Sequence, residues 1–383
     1  MSPDPTLRRV HACALANVPA YMHGAPGTGK TSRMRLYTRV LTLHLERWLL
    51  SRCEPIDLKP RIISEGRVVV CDPPEIERLM QTAKAAMAAK DGRPFWGVMF
   101  MDELNLATRE TENAALDRMD APPEGIVVIA AGNPPTRGQA ARSLGAAAAN
   151  RFCHLFVTAD ADAFARAQVQ GWPDDPGSFP IPDPATLATA TGKYRMLVSS
   201  FIKRRPELLE VQPDNPVDAG KGWPSTRTWE YAVKVYAVAV SLGYDTEDRK
   251  ALLAGLLGDG AAVEFLAYCE DADLVDPEAW LADPTSVTPD PNRVDRTVAA
   301  LTSVVHSVQT KLTEARWTAA WQILAHIITT DANGMAGAMV GGDLLVAMFR
   351  DLAKRTPEAI KGLTPPHKLM GKYTPRMAAL LAT

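Results

Sequence analysis

Residues 24–31 of the sequence are Gly24-Ala25-Pro26-Gly27-Thr28-Gly29-Lys30-Thr31. This stretch satisfies the spacing G-x-x-x-x-G-K-[ST], follows a short apolar run and precedes a segment of helical period. Glycines let the backbone curl so that the amides of residues 27–30 converge on phosphate oxygens at the start of a helix. The stretch predicts a phosphate-binding loop, with Lys30 on the β and γ phosphates and the Thr31 hydroxyl on Mg²⁺. The alternative is a glycine-rich turn with an incidental lysine.

Around this loop, from about residue 18 to residue 157, short apolar runs alternate with longer segments of helical period. This alternation is typical of a parallel α/β sheet. We place strands at residues 18–23, 67–72, 98–103, 126–133 and 154–157. The segment 31–50 is predicted to be one helix, and Pro74 is predicted to open another helix that runs through Met87. The fold class is therefore α/β, a P-loop αβα sandwich around a parallel five-stranded sheet.

The character of the chain changes after residue 170, where GWPDDPGSFPIPDP carries five prolines in fourteen residues. Such a stretch cannot form a continuous helix or a central strand. Beyond it the patterns predict only helices, at 185–209, 225–242, 294–312, 317–330 and 344–354. We predict a nucleotide-binding α/β domain at 1–170, a proline-rich linker at 171–186, an α-helical lid at 187–269 and a C-terminal helical extension at 270–383.

Two further strands end in polar side chains that suit phosphate chemistry. The apolar run 98–101 is followed by Asp102, placed to hold Mg²⁺, and by Glu103, placed to orient and deprotonate an attacking water. The run 126–132 ends in Asn133, an amide that could position the same water. Charged residues and asparagine also end strands for no catalytic reason, so an ordinary turn is the alternative for each of them.

Composition excludes several classes of protein. The 383 residues contain 42 basic and 44 acidic side chains, so no general attraction to nucleic acid or to a membrane is expected. Five scattered cysteines without a C-x-x-C pair indicate neither a disulfide framework nor a zinc site. We find neither a signal peptide nor an apolar run of roughly 18 residues, and expect a cytoplasmic protein. Because an N-K-x-D motif is absent, ATP is expected rather than GTP.

Five stretches in series resemble a known family. GAPGTGKT, VMFMDELNLATRETENAALDRMD, VVIAAGNPP, AAANRF and WPSTRTWEYA are similar to the consecutive motifs of the MoxR group of AAA+ ATPases, over residues 18–242. The resemblance implies an AAA+ core with a helical lid. It also implies that copies of the chain assemble into a homo-oligomeric ring, expected to be a hexamer, and that ATP drives the remodelling of a partner protein. In this family the partner is often a von Willebrand factor A domain protein.

The resemblance also implies roles for three polar residues. Asn133 corresponds to the sensor 1 residue, Arg151 in Asn150-Arg151-Phe152 to the arginine finger, and Arg227 in PSTR to sensor 2. A guanidinium stabilises the charge that spreads over a γ phosphate in the transition state. The alternatives are an arginine at a strand edge for Arg151 and an arginine packed on a tryptophan for Arg227. Arg142 is a further candidate for a phosphate contact.

Three functions remain open at this point. The first is an ATP-driven remodeller or chaperone that acts on a partner protein. The second is a DNA-directed AAA+ ATPase, which would carry a basic pore loop and be stimulated by DNA. The third is a nucleotide-gated scaffold that hydrolyses ATP slowly.

Overall fold

The computed structural model describes residues 4–64, 67–87, 93–133, 142–171, 177–271, 277–286, 297, 300–301, 303–305, 307–308, 311–330 and 352. The strands are β1 Ala20–His23, β2 His44–Leu49, β3 Arg61–Ser64, β4 Arg67–Val70, β5 Gly97–Asp102, β6 Ile126–Gly132 and β7 Cys153–Phe156. The helices are α1 Pro5–Leu15, α2 Lys30–Val40, α3 Pro55–Leu58, α4 Pro74–Met87, α5 Arg109–Asp120, α6 Ala146–Ala149, α7 Ala161–Gln170, α8 Pro184–Arg204, α9 Pro216–Ala219, α10 Thr226–Ser241, α11 Thr246–Asp271, α12 Pro277–Ala282 and α13 Glu314–Thr330. Short 3-10 turns occupy Leu50–Arg52, Leu104–Leu106 and Pro206–Leu208.

Five of these strands form one parallel sheet in the order β2-β5-β6-β1-β7. The carboxyl ends of parallel strands share one edge of the sheet, and ligands of open α/β sheets bind at that edge. The loop that follows β1 and the residues that end β5 and β6 are therefore brought together.

Helices cover both faces of this sheet. Strands β5 and β6 are buried at every position. On one face Tyr21, Met99 and Val128 share a core cluster with residues of α4 and α5. Helices α1 and α2 contact the same sheet, and the alternate residues Met22 and Phe100 are fully buried. The α/β class, the αβα layers and the five-stranded parallel sheet are confirmed.

The predicted helix 31–50 is wrong in its second half. Helix α2 ends at Val40, Thr42 takes a left-handed conformation with φ 52°, and β2 then pairs in parallel with β5. Strand β2 lies at an edge of the sheet and is only partly buried, so its apolar residues lack the continuous run that marks a central strand. Pairing with β5, a tertiary interaction, decides its conformation.

The strand predicted at 67–72 exists as β4 but does not belong to the main sheet. It pairs antiparallel with β3, with Arg61 opposite Val70 and Ser64 opposite Arg67. Val68 and Val70 are 69% and 59% exposed. The apolar run predicts a strand of the parallel sheet, but it forms one strand of an exposed two-stranded hairpin.

Two compact units divide the chain. One comprises Met1–Pro182 and Glu207–Glu264, and the other comprises Asp183–Pro206 and Phe265–Thr383. The second unit has its own core, in which Trp317 and Trp321 pack with ring centroids 5.7 Å apart. The segment predicted as a lid, 187–269, is shared between the units, and the four-part division made from sequence stays a prediction.

The helices predicted beyond residue 170 are found where the structure describes that part of the chain. Helices α8, α10 and α13 correspond to the predictions at 185–209, 225–242 and 317–330. The described residues after 170 contain no strand. Most of the predicted helices 294–312 and 344–354 lies outside the described residues.

Helix α11 is long and apolar enough between Thr246 and Glu270, by length and composition alone, to cross a membrane. Half of the most apolar 18-residue segment of this helix is buried within the protein. Gly258 interrupts the helix with φ 74° and ψ 162°. A buried, interrupted helix of this kind is also what the core of a globular protein contains. At Gly255 the helix backbone lies directly against β7, since a Cβ there would stand 2.3 Å from the His154 carbonyl oxygen.

Replacement of Gly255 by alanine is expected to destabilise the protein, because the added methyl group meets backbone that cannot turn away. We expect a loss of about 1–3 kcal/mol in the free energy of unfolding, measured by chemical denaturation. Gly260→Ala is the matched control on the same helix, because a Cβ added at Gly260 would have no neighbour within 4 Å. Equal stability of the two variants would show that α11 does not pack on β7 in this way.

Candidate functional site

The loop between β1 and α2 has the backbone that its glycines predict. Gly27 and Gly29 have φ values of 79° and 81°, a region that side chains disfavour. Helix α2 begins at Lys30, and no side chain caps its first amides. Uncapped amides at a helix N-terminus attract anions, so the loop can hold phosphate oxygens.

Lys30 reaches across the site from the start of α2. Its ammonium donates to the carbonyls of Gly24 and Ala25 at 2.6 and 3.0 Å and to Asn133 Oδ1 at 3.1 Å. The residue is 9% exposed, and burial lowers the pKa of Lys30, an effect that the negative charges of Asp102 and Glu103 oppose. The structure thus brings together the predicted lysine and the predicted sensor 1 residue.

Asp102 ends β5 beside the same loop and is 5% exposed. Its Oδ2 accepts from Thr31 Oγ1 at 2.9 Å, so the two predicted Mg²⁺ ligands are in contact. The same oxygen accepts from Arg47 Nε at 2.9 Å and from Arg47 Nη2 at 2.7 Å. Sequence reasoning missed Arg47 because it placed that residue on a helix and not on the strand beside β5.

Glu103 follows Asp102 in a left-handed conformation, with φ 57° and ψ 34°. Side chains other than glycine seldom adopt this region, and where they do they often lie at functional sites. Its backbone N–H donates to Asp102 Oδ1 at 3.1 Å, and its carboxylate accepts a hydrogen bond from Ser51. Ser51, which the sequence did not single out, therefore orients the candidate base.

A buried asparagine fixes the end of β6. Asn105 is 2% exposed; its Nδ2 donates to the Asn133 carbonyl at 2.6 Å and its Oδ1 accepts from the Asn133 N–H at 3.2 Å. A Cβ at Gly132 would lie 1.9 Å from Tyr21 Oη and 2.3 Å from Asn105 Oδ1, so only glycine fits before Asn133. The position of Asn133 is thus set by side chains that no sequence motif indicated.

Arg142, the further candidate for a phosphate contact, is engaged elsewhere. Its guanidinium lies 3.2 Å from Glu112 Oε2 and donates to the Ala107 carbonyl. Glu112 is 2% exposed and also accepts from Arg109 at 2.9 Å and from the Gly145 N–H at 2.8 Å. Because a buried carboxylate is costly without partners, Arg142 serves to neutralise Glu112 in this arrangement.

The two other predicted arginines meet at Asp120, the last residue of α5. Arg151 donates from Nε to Asp120 Oδ1 at 2.8 Å and from Nη2 to Oδ2 at 2.6 Å, a bidentate pair. Arg227 Nη2 lies 3.5 Å from Asp120 Oδ1. The structure therefore brings Arg151 and Arg227 together with each other, and their partner here is Asp120, whereas Lys30, Asn133 and Asp102 form a separate group.

Two histidines in contact with each other lie at the base of the loop: His154 is buried, and His23, which directly precedes the loop, is partly buried. His154 Nε2 lies 2.9 Å from the Ala149 carbonyl oxygen, which can only accept, so Nε2 carries the proton. In the neutral ring Nδ1 is then an acceptor, and His23 Nε2 donates to it at 2.7 Å. Burial lowers the pKa of His154 to about 4, and burial together with His154 lowers the pKa of His23 to about 2.

A cavity of about 670 Å³ lies beside this pair. Its lining includes His154 and Phe156 of β7, and the Phe156 ring stacks on His23 at 4.8 Å between centroids. On the opposite side it is lined by Trp223 and by residues around Gly258 of α11. His23 directly precedes the loop, and its ring contact with Phe156 connects the loop to the wall of the cavity.

Stability is expected to fall on acidification because of these histidines. The unfolded chain protonates histidine near pH 6.5, whereas folded His154 resists protonation down to about pH 4. The unfolded state therefore binds the extra proton between these values, and each such histidine lowers the free energy of unfolding by ~1.4 kcal/mol per pH unit as the pH falls.

In His154→Gln the free energy of unfolding should depend less steeply on pH between pH 6.5 and pH 4, because unfolding takes up about one proton fewer. Chemical denaturation at several pH values measures this slope. His44→Gln is the matched control, the same change at a histidine that is exposed on β2. An unaltered slope in His154→Gln would mean that His154 is not held neutral in the folded protein.

Comparison with known proteins adds little to this geometry. No protein-family model matches the chain, and no curated protein matches it. Of 152 solved chains that match, one is C. elegans PCH-2, with 15% sequence identity and a TM-score of 0.26. The match covers 70% of this chain and 66% of that one, so it spans just under two thirds of the solved protein.

Proposed function

We propose that this chain is a Mg²⁺-dependent ATPase of the AAA+ class. One observation carries the proposal: Lys30 Nζ lies 3.1 Å from Asn133 Oδ1 and Thr31 Oγ1 lies 2.9 Å from Asp102 Oδ2. These side chains come from three separate strand ends that meet at one edge of a parallel sheet. A phosphate loop, an acidic pair and a polar amide at such an edge are the parts that phosphoryl transfer to water requires.

The residues at the loop fit a magnesium nucleotide. A hydroxyl and a carboxylate oxygen, from Thr31 and Asp102, are the hard donors that Mg²⁺ prefers, and they already lie together. When bound, Mg²⁺ would neutralise charge on the β and γ phosphate oxygens. The amides of the loop and the Lys30 ammonium would hold the phosphates.

Hydrolysis would then depend on Glu103 and Asn133. Glu103, held by Ser51, is the base that accepts a proton from the attacking water, and Asn133 Oδ1 orients that water. The cavity beside His23 and Phe156 is the space that we assign to the nucleoside. ATP is proposed as the substrate, because the chain lacks the N-K-x-D motif that reads guanine.

The finer part of the proposal concerns assembly. Arg151 contacts Asp120 and not the loop of its own copy, which supports its role as the arginine finger at the nucleotide of a neighbouring copy. Arg227, which also contacts Asp120, is proposed as the sensor 2 arginine that reaches the nucleotide from the lid. We propose a ring homo-oligomer, a hexamer, of the MoxR type, on the strength of its ordered motifs. It would act in the cytoplasm, without membrane or nucleic acid, and remodel a client protein such as a von Willebrand factor A domain protein.

ATP turnover per subunit is expected to rise with subunit concentration, since each site would be completed by a neighbour. Arg151→Ala should lower the rate at high concentration by roughly 100-fold or more, because the transition state loses its arginine. Asp120→Asn is the matched control, which breaks the same ion pair but keeps the guanidinium, and it should retain most of the turnover. The measurement is steady-state ATP hydrolysis with Mg²⁺.

A rate that is independent of concentration and unaffected by Arg151→Ala would remove the ring and the shared site from the proposal. A self-sufficient P-loop ATPase would remain. Equal losses in Arg151→Ala and Asp120→Asn would instead assign Arg151 a structural role.

Two substitutions test the site within one subunit. Lys30→Ala should abolish detectable turnover and weaken ATP binding, because the phosphates lose their ammonium. Glu103→Gln should bind ATP normally but turn over ~100-fold or more slowly, since only the base is lost. ATP binding by a fluorescent analogue, alongside turnover, separates the two effects. Ordinary turnover in Glu103→Gln would take the role of base away from that residue.

A further inference from the structure

One carboxylate oxygen at the site carries an unusual number of partners. Asp102 Oδ2 accepts from Thr31 Oγ1 at 2.9 Å and from two nitrogens of Arg47 at 2.9 and 2.7 Å. Both hydrogen bonds from Arg47 are charge-assisted and come from a single planar guanidinium. The oxygen that faces Thr31 is thus already neutralised by a cation that the protein itself provides.

The strand pairing explains how Arg47 comes to this place. Leu49 of β2 lies opposite Asp102 of β5, and Arg47 lies two residues earlier, on the same face of the strand. The Arg47 side chain is 37% exposed, whereas that of Asp102 is 7% exposed. A long side chain on an edge strand, partly in water, can turn away from the carboxylate without disturbing the core.

Arg47 and Mg²⁺ make conflicting demands on this oxygen. The Thr31 hydroxyl and Asp102 are the donors that fit the metal, and the guanidinium fork occupies the carboxylate oxygen that faces Thr31. The repulsion between a guanidinium and a divalent cation is twice that between two single charges at the same distance. The two cations therefore compete for Asp102.

We propose that Arg47 is a positioning residue that sets the Mg²⁺ requirement of the site. It holds Asp102 toward Thr31 in the absence of metal, and it leaves Oδ2 when a magnesium nucleotide binds. Removal of the guanidinium makes the carboxylate available to the metal at lower Mg²⁺ concentration. This inference rests on the proposed function, because it concerns the same nucleotide site.

The test is binding of a fluorescent ADP analogue at fixed nucleotide concentration while Mg²⁺ is varied, a readout that does not depend on turnover. In Arg47→Gln the Mg²⁺ concentration for half-maximal binding should fall about tenfold, equivalent to ~1.4 kcal/mol. Arg47→Lys keeps the charge but not the fork and should lie between the wild type and Arg47→Gln. The control is Arg52→Gln, the same change at an exposed arginine nearby, and it should leave the Mg²⁺ requirement unchanged.

An unchanged or increased Mg²⁺ requirement in Arg47→Gln, with normal binding by the wild type, overturns the role of Arg47 and leaves the proposed function intact. Failure of the wild type to bind the analogue at any Mg²⁺ concentration overturns the proposed function and this inference together. Thermal unfolding of each variant shows whether it is folded, and Arg47→Met serves in place of Arg47→Gln if the latter is not.

Discussion

The buried ammonium of Lys30 is the constraint on which the site depends. Lys30 is only 9% exposed as a residue, so its ammonium needs acceptors within the protein, and these are two carbonyls of its own loop and Asn133. That requirement joins the loop after β1 to the end of β6. Asn105 then secures both the N–H and the carbonyl of Asn133, so the network extends to the turn that follows β5.

The parts that could be predicted from sequence are those whose cause is local. The loop can be predicted because it needs glycines that adopt positive φ and one lysine at a fixed position. The central strands can be predicted because both of their faces are buried, which gives a continuous apolar run in the sequence. Strand β2 gives no such signal, since it is a half-exposed edge strand whose conformation is decided by β5. Because the prediction lacked β2, it also missed Arg47 and Ser51, which lie beside Asp102 and Glu103 only because of where that strand runs and ends.

The arginines illustrate a second limit. The family resemblance predicts a role in hydrolysis for Arg151 and Arg227, but no motif specifies what each side chain contacts. Their common partner Asp120 ends α5, and the pairing arises only when α5, α6 and the start of α10 meet. The same holds for Arg142, whose residue type suits a phosphate but whose charge is taken up by the buried Glu112. A phosphate-binding role assigned to an arginine from sequence alone therefore has an alternative, which is that the arginine neutralises a buried carboxylate elsewhere in the fold.

Charge balance connects these observations. At the sheet edge two carboxylates, Asp102 and Glu103, face two cations, Lys30 and Arg47, so the pocket is close to neutral before any ligand arrives. A polyphosphate alone would add several negative charges next to both carboxylates, and a divalent cation alone would meet Arg47. A divalent cation that arrives with the polyphosphate would offset part of its negative charge, so that joint entry would add less negative charge next to the carboxylates than the polyphosphate alone. On the proposed function, this charge balance would favour a metal nucleotide over either component, and one of its four charges, that of Arg47, lies on the edge strand that sequence reasoning did not find.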